Sequence, residues 1–225
     1  MSSTYNIAID GPAGAGKSTI AKLVAAKLGF IYVDTGAMYR AMALYFLENG
    51  IQPEDEEKVS AACGQIDISL RYQDGVQQVI LNGRDVSGKI RTEAVGNAAS
   101  VVSAYRAVRQ ALLALQQNLA KTSNVIMDGR DIGTCVLPNA QTKIYLTASS
   151  HVRAIRRYKE LTEKGQMCNL EEIEQDIIDR DYRDMHREIA PLNQAADAVL
   201  LDSSALTIDQ VVDGIITAAR ERGLA

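Results

Sequence analysis

The stretch DGPAGAGKST, residues 10–19, constrains the fold more than any other part of the chain. It follows the apolar run YNIAI (5–9), which reads as a buried strand. It precedes Lys17 to Leu28, where Ile20, Leu23, Val24 and Lys27 suggest an amphipathic helix that Gly29 stops. Gly11, Gly16, Lys17 and Ser18 match the spacing G-x-x-x-x-G-K-[ST]. Glycines at such a bend let the backbone curl until successive N–H groups point inward at phosphate oxygens, and the helix opening there adds the positive end of its dipole. A lysine at the end of the loop reaches the terminal phosphates, and the next hydroxyl ligates Mg²⁺. A chance glycine-rich turn is a poor account of a motif held between a strand and a helix. The loop alone does not separate GTPases, ATPases, transporters and kinases.

The rest of the chain repeats the alternation of short apolar runs with longer helical patterns. FIYV (30–33), NVIM (124–127), KIYL (143–146) and AVLL (198–201) read as strands. Helices are expected at 37–48, ending at Asn49-Gly50, at about 105–120, near 151–164, and at 170–187 and 207–222. Strands apolar on both faces and separated by helices indicate an α/β fold with a five-stranded parallel sheet flanked by helices. One region breaks the rhythm. In QIDISLRYQDGVQQVILNG (65–83), Ile66, Ile68, Leu70 and Tyr72 alternate with polar neighbours, and Asp74-Gly75 signals a hairpin turn. Residues 64–90 are therefore expected to form a small antiparallel β insert on a single domain spanning 1–225, whose core is 1–63 and 91–225.

Composition narrows the function. The net charge of −4 lacks the basic footprint of a protein that wraps nucleic acid, yet leaves room for a local pocket of arginines around a small anion. Cys63, Cys135 and Cys168 are odd in number and far apart in sequence, which argues against a disulfide framework or a zinc site and fits a reducing compartment. His151 and His186 are isolated and read as surface or packing residues. The start of the sequence lacks a secretory pattern, and no run approaches the roughly 20 apolar residues of a membrane span. A cytoplasmic protein is expected, with no membrane partner, and a monomer, because no long apolar face is left over.

The arginines discriminate further. A phosphate monoester placed beside a nucleoside triphosphate needs cations on both sides, mostly planar guanidinium forks that hold phosphate oxygens in pairs. Arg40 follows the second strand in DTGAMYR and Arg130 the third in MDGRD, where parallel sheets place their ligands. Arg180, Arg183 and Arg187 occur in RDYRDMHR, with Arg180, Asp184 and Arg187 on one helical face; Arg153, Arg156 and Arg157 precede Gly165. Any one helical Arg–Asp pair also reads as a solvated salt bridge.

The blocks GPAGAGKST, DTGAMYR, IRTEAVGNAAS, DGRDIGT and RDYRDMHREIAPL together resemble the bacterial cytidylate kinases, which are P-loop nucleoside monophosphate kinases; the resemblance runs from about residue 5 to the C-terminus. It implies ATP and Mg²⁺ as cofactors and CMP and dCMP as substrates, with transfer of a phosphoryl group to the monophosphate. It implies that ATP is held by Gly11, Pro12, Ala13, Gly14, Ala15, Gly16, Lys17, Ser18 and Thr19. Arg40, Arg130 and Arg187 would hold the CMP phosphate, Ser100, Arg109 and Asp131 the cytosine edge, and Arg180 and Asp184 the sugar, with Thr35 near the acceptor. Residues 150–170 would be the helical lid over ATP, with Arg153, Arg156 and Arg157 as phosphate clamps. Lys17, Arg130, Arg157 and Arg187 are the catalytic candidates, and Ser18 and Asp128 (at the Walker-B position) the metal candidates. From the residues alone, Ser100 reads equally as a helix cap and Arg109 as a surface charge. The antiparallel insert is a feature of the bacterial enzymes as well.

Overall fold

In the computed structural model, which describes residues 4–73 and 75–224, every strand expected from an apolar run forms and begins within a residue of its expected start. The order begins β1 (Asn6–Asp10), α1 (Lys17–Leu28), β2 (Ile31–Asp34), α2 (Thr35–Glu48), α3 (Glu56–Ala62), β3 (Ile68–Gln73), β4 (Val76–Leu81) and β5 (Arg84–Asp85). It continues with α4 (Glu93–Val102), α5 (Arg106–Thr122), β6 (Val125–Gly129), β7 (Thr142–Thr147), α6 (Ser150–Glu163), α7 (Leu170–His186), β8 (Val199–Asp202) and α8 (Ile208–Glu221). The larger, five-stranded sheet has the order β2-β6-β1-β7-β8, and the smaller antiparallel sheet the order β3-β4-β5. In the larger sheet β1 runs parallel to β7 with Ile9 opposite Ile144 and Asp10 opposite Tyr145, and β7 runs parallel to β8.

The chain divides into two units, residues 1–4 with 31–125, and residues 5–30 with 126–225. In the second unit Ile7, Ile9, Ile126, Met127, Ile144 and Leu146 are fully buried or nearly so, which is why these strands read as unbroken apolar runs. Helix α8 packs on α1 and buries Val211, Val212, Ile215 and Ile216. A capping box at Thr207 and Gln210 starts α8, and Gly29 in the left-handed conformation (φ 67°) ends α1.

The first unit has its own core, in which Met38, Met42 and Phe46 of α2 meet Leu81, Ile90 and Leu112. Helices α3 and α4 form without a periodic signal strong enough to predict them. In α4 the buried positions Val95, Ala98, Ala99 and Val102 have helical spacing, but two of the four are alanines, and Gly96 and Asn97 lie off that face. Its start was nonetheless written in Thr92, whose hydroxyl accepts from the Val95 N–H. Of the hairpin turn, Asp74 lies outside the described residues, and Gly75 has φ 76°. The register Tyr72 to Gln77 and Gln73 to Val76 fits a two-residue loop. The hairpin is pinned to the end of β2: the Asp34 N–H donates to the Gln77 amide oxygen at 2.9 Å, and the Tyr72 hydroxyl donates to the Tyr32 carbonyl at 3.2 Å. Among the described residues the three cysteines are unbridged, and no helix is long and apolar enough to cross a membrane.

Candidate active site

In the second unit the glycine-rich loop leaves β1 at Asp10. Gly11 has φ 149°, and a Cβ there would lie 1.9 Å from the Leu146 carbonyl oxygen of β7, so only glycine lets the loop pass the neighbouring strand. Gly14 and Gly16 take φ 74° and 85°, and Gly16 caps α1. Curled in this way, the loop sets the N-terminus of α1 beside the ends of β1 and β6. Lys17 is buried and its Nζ donates to the carbonyls of Gly11 and Pro12, at 2.7 Å each. Burial pushes its ammonium well below the ordinary lysine value; the nearby Arg130 pushes the same way, and Asp128 and Asp10 oppose them. The Ser18 hydroxyl donates to Asp128 Oδ2 at 2.8 Å. A hydroxyl and a buried carboxylate side by side are the oxygen donors a hard Mg²⁺ ion takes from protein when substrate phosphates and water supply the remaining ligands.

Past β6 the chain presents Arg130 and Asp131. Arg130 Nε donates to Asp184 Oδ2 at 2.8 Å, and Arg187 Nη2 to Asp131 Oδ1 at 3.2 Å. Arg187 is held further by Nε donating to the Ala190 carbonyl at 2.6 Å. Burial alone would raise the Asp184 carboxyl, but Arg130, then Arg180 and Arg187, outweigh it and hold it below the usual range. The Arg130 guanidinium would be lowered by burial, and Asp184 and Asp128 instead keep it raised. Asp131 and Asp184 are buried, Arg130 and Arg187 partly so, and their charges compensate one another. Lys17, Ser18, Asp128, Arg130, Asp131, Arg180, Asp184 and Arg187 thus share one electrostatic neighbourhood within this unit.

The three arginines of α6, alike in sequence, have different partners. Arg153 is buried; Nη1 donates to the Ala13 carbonyl of the phosphate loop at 2.9 Å, and Nη2 pairs with Asp181 at 2.6 Å. Arg156 bonds Ser203 through its hydroxyl and its carbonyl. Arg157 pairs with Glu160 at 2.9 Å on the exposed side of α6. Geometry therefore sets Arg153 against the phosphate loop, a distinction that spacing alone could not make.

In the first unit Asp34 caps α2, its Oδ1 accepting from the Ala37 N–H at 2.8 Å, and Thr35 is buried in the first turn. Arg91 Nη2 donates to Asp34 Oδ2 at 2.8 Å, and Arg40 Nη1 lies 3.9 Å from Oδ1. Arg91 was not singled out from the sequence. Ser100 does not cap a helix: it lies inside α4, and the capping positions are Thr92 and Ser103. Arg109 is half-buried rather than a free surface charge; Nη1 donates to the Ser103 carbonyl at 3.2 Å and the guanidinium stands 5.7 Å from the centre of the Tyr39 ring. His151 pairs with Glu174, and His186 stacks on Tyr182, as packing residues do.

The family model for cytidylate kinase matches residues 7–221. The chain belongs to the cytidylate kinase family. It is 52% identical over 211 residues to the cytidylate kinase of Caldicellulosiruptor bescii, covering 94% of this chain and 93% of that one. It is 50% identical over 222 residues to that of Ligilactobacillus salivarius, covering 99% of both. Among solved structures, a gluconokinase from Sinorhizobium meliloti 1021 aligns with a TM-score of 0.50 at 13% identity, over 98% of this chain and 94% of that one, a likeness of fold alone.

Besides Arg91, a residue of the second unit also escaped sequence reasoning. Asp10, at the end of β1, is buried, and its two oxygens accept the N–H groups of Ile132 and Gly133, both at 2.7 Å. The only hint was an acid closing the apolar run of the first strand.

Proposed function

We propose that the chain transfers the γ-phosphoryl group of ATP to CMP and dCMP, giving ADP with CDP or dCDP. The observation that carries this reading is the placing of two cations beside the phosphate loop: buried Lys17, held on the Gly11 and Pro12 carbonyls, and half-buried Arg130, two residues past the Asp128 that accepts from Ser18. Like charges brought together cost free energy. Such a pair makes sense where two polyanions meet, one on the glycine loop and one beside it. The family relation supplies the identity of the nucleotides.

The loop Gly11–Thr19 holds the triphosphate, with Lys17 leaving the Gly11 and Pro12 carbonyls for its oxygens. Ser18 and Asp128 would hold Mg²⁺, which would supply neutralisation of phosphate charge. Arg130, Arg187 and Arg40 are assigned the acceptor phosphate, Arg180 and Asp184 the sugar, and Thr35 a place near the acceptor. Ser100, Arg109 and Asp131 are assigned the base, where a carboxylate accepts from the cytosine amine and repels the uracil carbonyl. Such a contact is worth roughly 1–3 kcal/mol of discrimination. The attacking phosphate oxygen is already ionised and needs no strong general base, so catalysis is positioning and charge neutralisation by Lys17, Arg130, Arg187 and a lid arginine. Arg157 is one candidate for that last role, and the bond from Arg153 to Ala13 supports Arg153 beside it. Residues 64–90 are the acceptor-side insert and 150–170 the lid, on one catalytic domain that works as a cytoplasmic monomer.

A coupled ADP-release assay across CMP, dCMP, UMP, AMP and shikimate tests the reading. CMP and dCMP should give the highest kcat/KM, with UMP roughly ten- to a hundredfold lower. CMP performing no better than UMP, AMP or shikimate would overturn it.

A further inference from the structure

Asp10 has no place in the chemistry described so far, yet it is among the most tightly held side chains of the second unit. Consecutive backbone N–H groups, from Ile132 and Gly133, each donate to a different oxygen of its carboxylate at 2.7 Å. A carboxylate gripped at both oxygens cannot rotate. The donors sit immediately after Arg130-Asp131, at the head of a π-helical turn (Ile132–Val136), and Asp10 immediately precedes Gly11. Single π turns of this kind concentrate at functional sites. Gly133 is part of the same fit, because a Cβ there would lie 3.3 Å from Asp10 Oδ2 and 3.1 Å from Lys143 Cδ.

We propose that Asp10 is a positioning residue for acceptor recognition: by clamping the Ile132–Gly133 turn to the root of the phosphate loop, it fixes where Arg130 and Asp131 stand relative to Lys17. The proposal rests on the reading of Arg130 and Asp131 as the groups that hold the CMP phosphate and base.

A neutral residue would fill this space at lower cost to the fold. Burial, joined by the charge of Asp131, pushes the Asp10 carboxyl up to about 6, against the two N–H bonds and Lys17, which pull it down. A carboxyl raised above its unfolded value opposes folding when ionised, so at neutral pH the charge is kept at the expense of stability. What the ionised form alone provides is two acceptors aimed at two adjacent donors. Asparagine retains the shape but turns one acceptor into an N–H₂ group facing an N–H. The turn must then move, and Asp131 moves with it.

The test compares the full-length wild type with Asp10→Asn, and independently with Gly133→Ala, which presses on the clamp from the other side. Steady-state kinetics are measured with CMP, UMP and ATP, alongside melting temperatures. Both variants should raise KM for CMP about tenfold or more and lower the CMP-to-UMP ratio of kcat/KM by a similar factor, while KM for ATP stays within about threefold. Loss of stability alone would lower activity toward both acceptors equally and leave that ratio unchanged. An unchanged ratio and KM for CMP in a folded variant, or an equal rise in KM for ATP, would overturn the proposal; should Asp10→Asn fail to fold, Gly133→Ala decides. A wild type that does not prefer CMP would instead refute the assignment of function, so the two failures are told apart.

Discussion

Replacing Gly11 by alanine should disable the donor site with little effect on the rest of the fold, and the size of the effect can be worked from two observations. The backbone at Gly11 sits at φ 149°, a region that costs an L-residue about 1–3 kcal/mol. The added Cβ would also stand 1.9 Å from the backbone oxygen of Leu146, where even 3.0 Å is too close, so the loop root must retreat from β7 by about 1.1 Å. The oxygen belongs to a strand paired on both sides, so the loop must yield. Displacements of about 1 Å in catalytic groups cost on the order of a hundredfold in rate. We therefore expect Gly11→Ala to lower kcat/KM for ATP at least about a hundredfold while its circular dichroism stays that of the wild type. The assay is ADP release with saturating CMP. A folded Gly11→Ala protein with activity within threefold of the wild type would mean that the loop's path past Leu146 is not needed to hold the triphosphate.

Asp131→Asn should cut the preference for CMP over UMP about ten- to a hundredfold in kcat/KM, because an amide can turn to donate to the uracil carbonyl. Asp184, held below the usual carboxyl range, contributes stability that is fully present above its unfolded value near 3.9 and is lost as pH falls through the lower folded value. The stability gap between wild type and Asp184→Asn, measured by urea melts from pH 7 to pH 3, should therefore shrink below about pH 4. Phe46→Ala, at a fully buried position of the first unit, should cost about 3–5 kcal/mol and lower Tm by roughly 10 °C in calorimetry.

The phosphate loop was legible because its chemistry is local: glycine, lysine and serine at fixed offsets after a strand fix both geometry and ligand. The strands were legible for a similar reason, since burial on both faces leaves unbroken apolar runs such as Ile7–Ile9 and Val125–Met127. Long-range pairings were not. Asp10 is bonded to backbone groups more than 120 positions away, and nothing about the residue types of Ile132 and Gly133 advertises a donor pair. The arginines of α6 show the same limit from another side. Arg153, Arg156 and Arg157 share a helix and a charge, yet one grips Ala13, one Ser203 and one Glu160, because their targets come from other segments or an adjacent turn. Helix α4 escaped although Val95, Ala98, Ala99 and Val102 have helical spacing, because two of those four are alanines and Gly96 and Asn97 stand between them in the sequence. Arg91 escaped because the residues around it gave no reason to pair it with Asp34.

If arginines recognise the acceptor through its phosphate, removing that phosphate must weaken binding. Isothermal titration of the wild-type protein with CMP and with cytidine, at fixed ionic strength, tests it most directly. CMP should bind at least about a hundredfold more tightly than the uncharged nucleoside, since several charge-assisted bonds are lost with the phosphate. Equal affinity for the two would contradict it.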